Sequence, residues 1–197
     1  MALTKITGTG LETLSDGVTI TTADNTYQLT LKSTDADAGS GPQLDFKRDS
    51  SSPADGDGIG LINWTSENDA DEATDYIRID CWATDVSNGS EDGEFVLRTM
   101  QAGSLRNVFA VNNSEIKFNE ESLDLNFRVE SNGSTHMLVV DGGDDVVLID
   151  TDSFSAVDAG NSAGIAFRRA GRIAMATVNN GNAIEFFAVG QSGKAGS

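Results

Sequence analysis

The residues best equipped for chemistry are a Gly-Asn-Ser-Ala-Gly run, a lone histidine, three carboxylate-rich loops, two tryptophans and a knot of arginines. Gly160-Asn161-Ser162-Ala163-Gly164 has the Gly-x-Ser-x-Gly spacing of a nucleophile elbow. That pattern activates a serine only between a buried strand and a helix, with an acid and then a histidine downstream. Here the sole histidine, His136, precedes the serine and no helical periodicity follows, so the run reads as a turn of small residues. His136 sits at the mouth of a hairpin in Ser134-Thr135-His136-Met137. One histidine does not make a typical His-based metal site, and only a threefold assembly would bring three copies to one ion, so a surface or interface histidine is expected. Asp55-Gly56-Asp57-Gly58, residues 67–75 and residues 141–145 hold oxygens that suit Ca²⁺, without EF-hand spacing or a Gly-Gly-x-Gly-x-Asp series. Asp and Gly are also the default turn residues, and solvated turns are the reading adopted.

Trp64 and Trp82 are candidate glycan contacts, weighed against the commoner role of tryptophan on an alternating strand as core. Arg168, Arg169 and Arg172 form the one basic knot, expected to neutralise carboxylates of the same or a neighbouring chain. A carboxylate pair for glycoside cleavage cannot be singled out among 31 Asp and Glu. Neither a Gly-x-x-x-x-Gly-Lys-[Ser/Thr] nor a Gly-x-Gly-x-x-Gly phosphate loop occurs. No catalytic, cofactor-binding or metal site is therefore expected, and the chain does not read as an enzyme.

The elements that would carry these residues are strands. Period-two alternation dominates: residues 18–21, 27–31, 44–46, 59–64, 76–82 and 94–98 each place apolar side chains on one face. Asp-, Asn- and Gly-rich clusters at 35–41, 49–58 and 85–93 separate them, and Asn88-Gly89 suits a tight hairpin turn. From Leu105 a loose repeat follows, in which an apolar-x-apolar triplet, a polar turn and a second apolar triplet recur. Phe109-Ala110-Val111 precedes Ile116-Lys117-Phe118, Phe127-Arg128-Val129 precedes Leu138-Val139-Val140, and Val147-Leu148-Ile149 comes next. Residues 164–167, 172–175 and 183–187 alternate again, with Asn180-Gly181 as a turn and a fraying tail over 190–197. No amphipathic helix is expected. A narrow ribbon of this kind is not stable alone in water. Stacking along an axis, or wrapping around copies of itself, makes it so.

Composition agrees. Hydrophobic residues are 38% and aromatics 7%, short of what a thick core in 197 residues would use. A net charge of −18 supplies no cationic footprint for nucleic acid and disfavours an anionic membrane surface. Cys81 is the only cysteine, so no intrachain disulfide framework exists. No signal-like run opens the chain and no apolar run of about 18 residues occurs, so no membrane insertion is expected. An extracellular role would follow from release of a particle assembled in a cytoplasm.

Several segments also carry a family likeness. Gly41-Pro42-Gln43-Leu44-Asp45-Phe46-Lys47-Arg48 with Ser50-Ser51-Ser52-Pro53-Ala54-Asp55, then Tyr76-Ile77-Arg78-Ile79 and Ser90-Glu91-Asp92-Gly93-Glu94, resemble tail-fibre proteins of marine and other environmental phages. The nearest likeness is Phe118-Asn119-Glu120, Asp124 through Ser131, and His136 through Gly143. The resemblance covers most of residues 24–190. It implies a homotrimeric β-rich fibre on the virion, bound to other virion proteins at its N-terminal end and facing a host surface glycan or protein at its distal end. Family members often continue into a C-terminal intramolecular chaperone that cuts itself off, so Ser197 is expected to be a processed end.

Together these readings set out an all-β, elongated trimeric fibre, with a β-sandwich- or β-prism-like region and short β-hairpin repeats forming an intertwined shaft. Residues 1–22 are expected to attach to the virion, 23–104 to form a β-rich module, 105–152 the shaft and 153–197 a C-terminal β-rich segment. Phe109, Val111, Ile116, Phe118, Phe127, Val129, Leu138, Val140, Val147 and Ile149 are expected to face the core between chains, and Arg128 to face outward. The function expected is that of a phage tail fibre acting in host attachment. The alternatives are a capsid-decoration or head-fibre protein, and a glycan-binding receptor-recognition module.

Overall fold

A computed structural model describes residues 17–159, 163–169 and 171–177. Two units divide the chain, Met1–Phe46 and Lys47–Ser197. The Gly160-Asn161-Ser162 part of the elbow-like run, the Asn180-Gly181 turn, the 183–187 strand, the 190–197 tail and most of the attachment segment lie outside the described residues.

In the first unit, residues 17–46 form no strand, contrary to the alternation read over 18–21, 27–31 and 44–46. Alternation specifies a strand only where a partner supplies the ladder, and no described residue does so here. The local order present is a turn on Asp24, whose Oδ1 accepts from Thr26 N (3.1 Å) and Thr26 Oγ1 (2.6 Å). These two bonds hold the Asp24 carboxyl below its usual range.

The described residues of the second unit form a meander of ten strands in two antiparallel sheets. The first runs β1 (Asp57–Glu67), β2 (Ala73–Asp85), β3 (Asp92–Gln101), β4 (Ser104–Val111) and β5 (Ile116–Phe118), each bonded to its sequence neighbours. The second runs β6 (Phe127–Val129), β7 (Leu138–Asp141), β8 (Val146–Ile149), β9 (Gly164–Arg168) and β10 (Arg172–Ala176) in the same neighbour-to-neighbour order. The all-β class read from alternation is what forms. The sheet boundary falls between β5 and β6, past residue 105. The change of character at Leu105 does not interrupt pairing, because β4 still bonds to β3.

The turns follow their chemistry. Gly89 takes the positive φ (90°) that Asn-Gly supplies at a tight reversal. Asp55 Oδ1 accepts from Val86 N, and Asp141 Oδ1 accepts from Gly143 N and Asp144 N, so these carboxylates serve as turn caps. The connector 119–126 is seated on a bulge in β4. The register shift opposite Leu97/Arg98 leaves Asn107 N to donate to Glu121 Oε1 (3.0 Å) and Val108 O to accept from Asn119 N (3.0 Å). At its far end the connector lies against the β7–β8 turn. A Cβ on Gly142 would come within 2.7 Å of Leu123 O and 2.9 Å of Leu125 O.

The sequence gives no amphipathic period before β9, yet a one-turn helix forms there. This helix, α1 (Phe154–Asp158), is N-capped by Ser153, whose Oγ accepts from Ala156 N. It lays Phe154 and Val157 on one face of the second sheet, against Val139, Val146, Leu148, Ala166 and Ala174. Arg168 and Arg172 cover the Phe154 ring at 4.6 and 5.5 Å. Arg172 pairs with Asp158, and Arg169 with Asp145. Two of the three arginines of the basic knot thus pair with carboxylates of their own chain, and Arg168 lies over the Phe154 ring.

Candidate assembly face

Cross-strand partners share a face of a sheet, so the register assigns every side chain. Phe109 opposes Phe118 and Val111 opposes Ile116 in the first sheet. Phe127 opposes Val140, Val129 opposes Leu138 and Val140 opposes Val147 in the second, with Ile149 two residues beyond Val147. All ten residues expected at the inter-chain core therefore lie on one face of their sheets. Arg128, opposite Val139, lies on the other face and pairs with Glu130.

The two apolar faces meet. Phe95, Phe109, Phe118 and Phe127 form a row with ring centroids 6.2, 5.1 and 4.8 Å apart, and the last contact joins β5 to β6 across the sheet boundary. A groove of about 760 Å³ continues the surface past Phe118, Phe127, Val140, Val147 and Phe167. The same face takes in Ile62 and Trp64 on β1, Ile77 on β2, Phe167 on β9, and Ile173 and Met175 on β10.

This surface is open. Twelve large apolar residues on it, from Ile62 to Met175, are 36–64% exposed. At roughly 80 Å² apiece they present about 1,000 Å² of apolar surface. Monomers rarely expose contiguous apolar patches beyond a few hundred Å². By contrast, only nine apolar residues are buried among the described residues, and seven of them form the cluster between α1 and the second sheet, Phe154 and Val157 coming from α1 itself.

The opposite face of the first sheet is mainly polar, its charges paired among themselves beside Leu61, Trp82, Val96 and Ala110. Asp80, 2% exposed, accepts from Arg78 Nε (2.7 Å) on one oxygen and from Arg98 Nη1 (2.6 Å) on the other. Arg98 Nε in turn donates to Asn107 Oδ1 at 2.7 Å. Arg78 and Arg98 are direct cross-strand partners, and the carboxylate between them offsets their repulsion. Glu121, accepting from Asn107 N and Arg106 Nη1, is held below the usual glutamate range by those bonds. Lys117 pairs with Glu120 and Glu115, and the Glu120 bond raises its ammonium above the usual lysine range. Sequence reasoning missed this network. Its signal was the charged alternate register of Arg78, Asp80 and Arg98, interleaved with the apolar one.

The other singled-out residues do not converge. Trp64 is half-exposed on the apolar face, whereas Trp82 lies on the polar face over Gly58, 3.6 Å from where a Cβ would stand. They form no common stacking platform. His136 is half-buried, with Nδ1 2.8 Å from Thr135 Oγ1. Among the described residues no group of three His, Cys, Asp or Glu side chains is placed to hold a metal, and no helix is long and apolar enough to cross a membrane.

No family model matches the chain, and no curated protein or solved structure matches it either.

Proposed function

We propose that the chain is a structural virion protein, a bacteriophage tail fibre acting in attachment to the host surface, and that it works as an intertwined homotrimer closed over its apolar face. One observation carries this reading: about 1,000 Å² of contiguous apolar surface lies bare on one side of a meander whose other side is satisfied by charge pairs and by α1. An area per chain near the roughly 800 Å² that each partner of a stable complex buries is enough for association. The fibre assignment rests on the likeness of the segments around residues 41–55, 76–94 and 118–143 to phage fibre proteins. In it, the N-terminal residues join other virion proteins and no catalytic chemistry is needed.

Sedimentation equilibrium of the full chain tests the assembly, with three times the 20.7 kDa chain mass expected. A stable single subunit that melts cooperatively would refute it. Immunogold labelling of particles tests the location: label on tails supports the tail fibre, whereas label confined to heads replaces it with the head-fibre alternative.

A further inference from the structure

The apolar face leaves the long outer edge of β1 unexplained. β1 runs eleven residues, Asp57–Glu67, and is bonded to β2 on one side only. Arg48 Nη1 donates to Gly58 O at 3.0 Å near its start. Beyond that point no described residue bonds to the outer edge. The strand exposes apolar side chains on both faces, Ile62 and Trp64 on the side of Phe95 and Leu61 on the other. Isolated edges are normally blunted by a charge, a proline or a cover, and residues 58–66 contain neither charge nor proline.

The first unit holds a stretch of matching character. Residues 26–31 are also uncharged, and Tyr27, Leu29 and Leu31 alternate and are all exposed, Tyr27 by 94%. We propose that residues 26–31 of one copy add as a strand to the outer edge of β1 in a neighbouring copy, an inference that rests on the homo-oligomeric reading above. Main-chain hydrogen bonds would hold the added strand and alternate side chains would set its register. Charge favours a second copy as the occupant. In a chain of net charge −18, these two stretches are places where copies approach without like-charge repulsion. Reach permits it as well, because the 15 residues from 32 to 46, which precede the second unit, extend to roughly 50 Å. Donation passed around a ring of three closes every such edge without leaving a free end. The subunits are then interlocked as well as adhering.

The test uses two full-length chains, both Cys81→Ala, co-expressed with different affinity tags. One carries Leu29→Cys and the other Ile62→Cys, and a short bismaleimide is added to the assembled protein. A covalent species bearing both tags is the expected product. Thr30→Pro, which cannot join a ladder, is expected to weaken association about tenfold, and Ser40→Pro to leave it unchanged. A chain carrying both cysteines that closes only on itself overturns the proposal. So does an assembly dispersed by Val140→Asp in which the tags never join and Thr30→Pro has no effect, a result that leaves the apolar-face reading intact. A monomer at all concentrations refutes both.

Discussion

Replacing Val140 with aspartate sets the assembly face against its alternatives. Val140 is 42% exposed, with Phe127 and Val147 as its cross-strand neighbours. Fully burying a valine contributes about 1.5–3 kcal/mol, so covering the remaining two-fifths contributes on the order of 1 kcal/mol per chain. Aspartate forfeits that and leaves an unpaired carboxylate among apolar groups, at an effective cost of several kcal/mol. Over three chains the penalty is on the order of 10 kcal/mol, the size of the whole association energy of a complex with a Kd between about 1 μM and 1 nM. Val140→Asp is therefore expected to sediment as a monomer at about 1–100 μM while keeping its far-ultraviolet β signal. Arg128→Glu, on the opposite face, loses an exposed ion pair worth at most about 1 kcal/mol and is expected to remain assembled. Equal masses for Val140→Asp and the unmodified chain, or equal dispersal by both variants, would refute the face assignment.

Three further outcomes follow from the polar network and the α1 cover. Asp80→Ala strands the half-buried Arg78 and Arg98 side by side. It is expected to destabilise the first sheet by about 2–3 kcal/mol, less than a fully buried broken pair because both guanidiniums reach water, as read by denaturant titration. Phe154→Ala removes the ring that fills the sheet face beneath Arg168 and Arg172, at an expected cost of about 3–5 kcal/mol, with amide exchange rising first in β8 and β9. The Glu121 carboxyl is lowered on folding by its bonds from Asn107 and Arg106. Its contribution is therefore present above the ordinary glutamate range and lost as pH falls through the lowered folded value. Tm followed downward from neutral pH should show an acid-side loss that is smaller in Glu121→Gln.

Alternation disclosed the hairpins well, for a physical reason. From Phe109 to Ile149 each apolar triplet is short and, except at the sheet boundary between Phe118 and Phe127, pairs with the next across a turn rich in Asp, Asn, Ser or Gly, so local pattern and pairing coincide. The same alternation misled over residues 18–46, because a period of two says which face is apolar and nothing about whether a partner exists. α1 is too short to show a period. Its readable trace was Ser153 as cap, with Phe154 and Val157 three apart. Trp64 and Trp82 ended on opposite faces because the pattern fixes a residue's parity within its own strand, whereas β1 carries two register irregularities against β2. The Asp80 cluster depends on which positions of β2, β3 and β4 stand side by side, which no single strand reveals.

In the meander of the second unit, each described strand bonds, among the described residues, only to its neighbours in sequence. Such an arrangement works as a ruler. Duplicating one hairpin inserts two rungs of about 4.8 Å each, extending the ladder by nearly 10 Å, and keeps every later side chain on its original face. Gaining a single rung would instead invert the polarity of all that follows. Length in a protein of this construction can thus change by gene-level slippage in paired steps, each increment folding from contacts it carries with it.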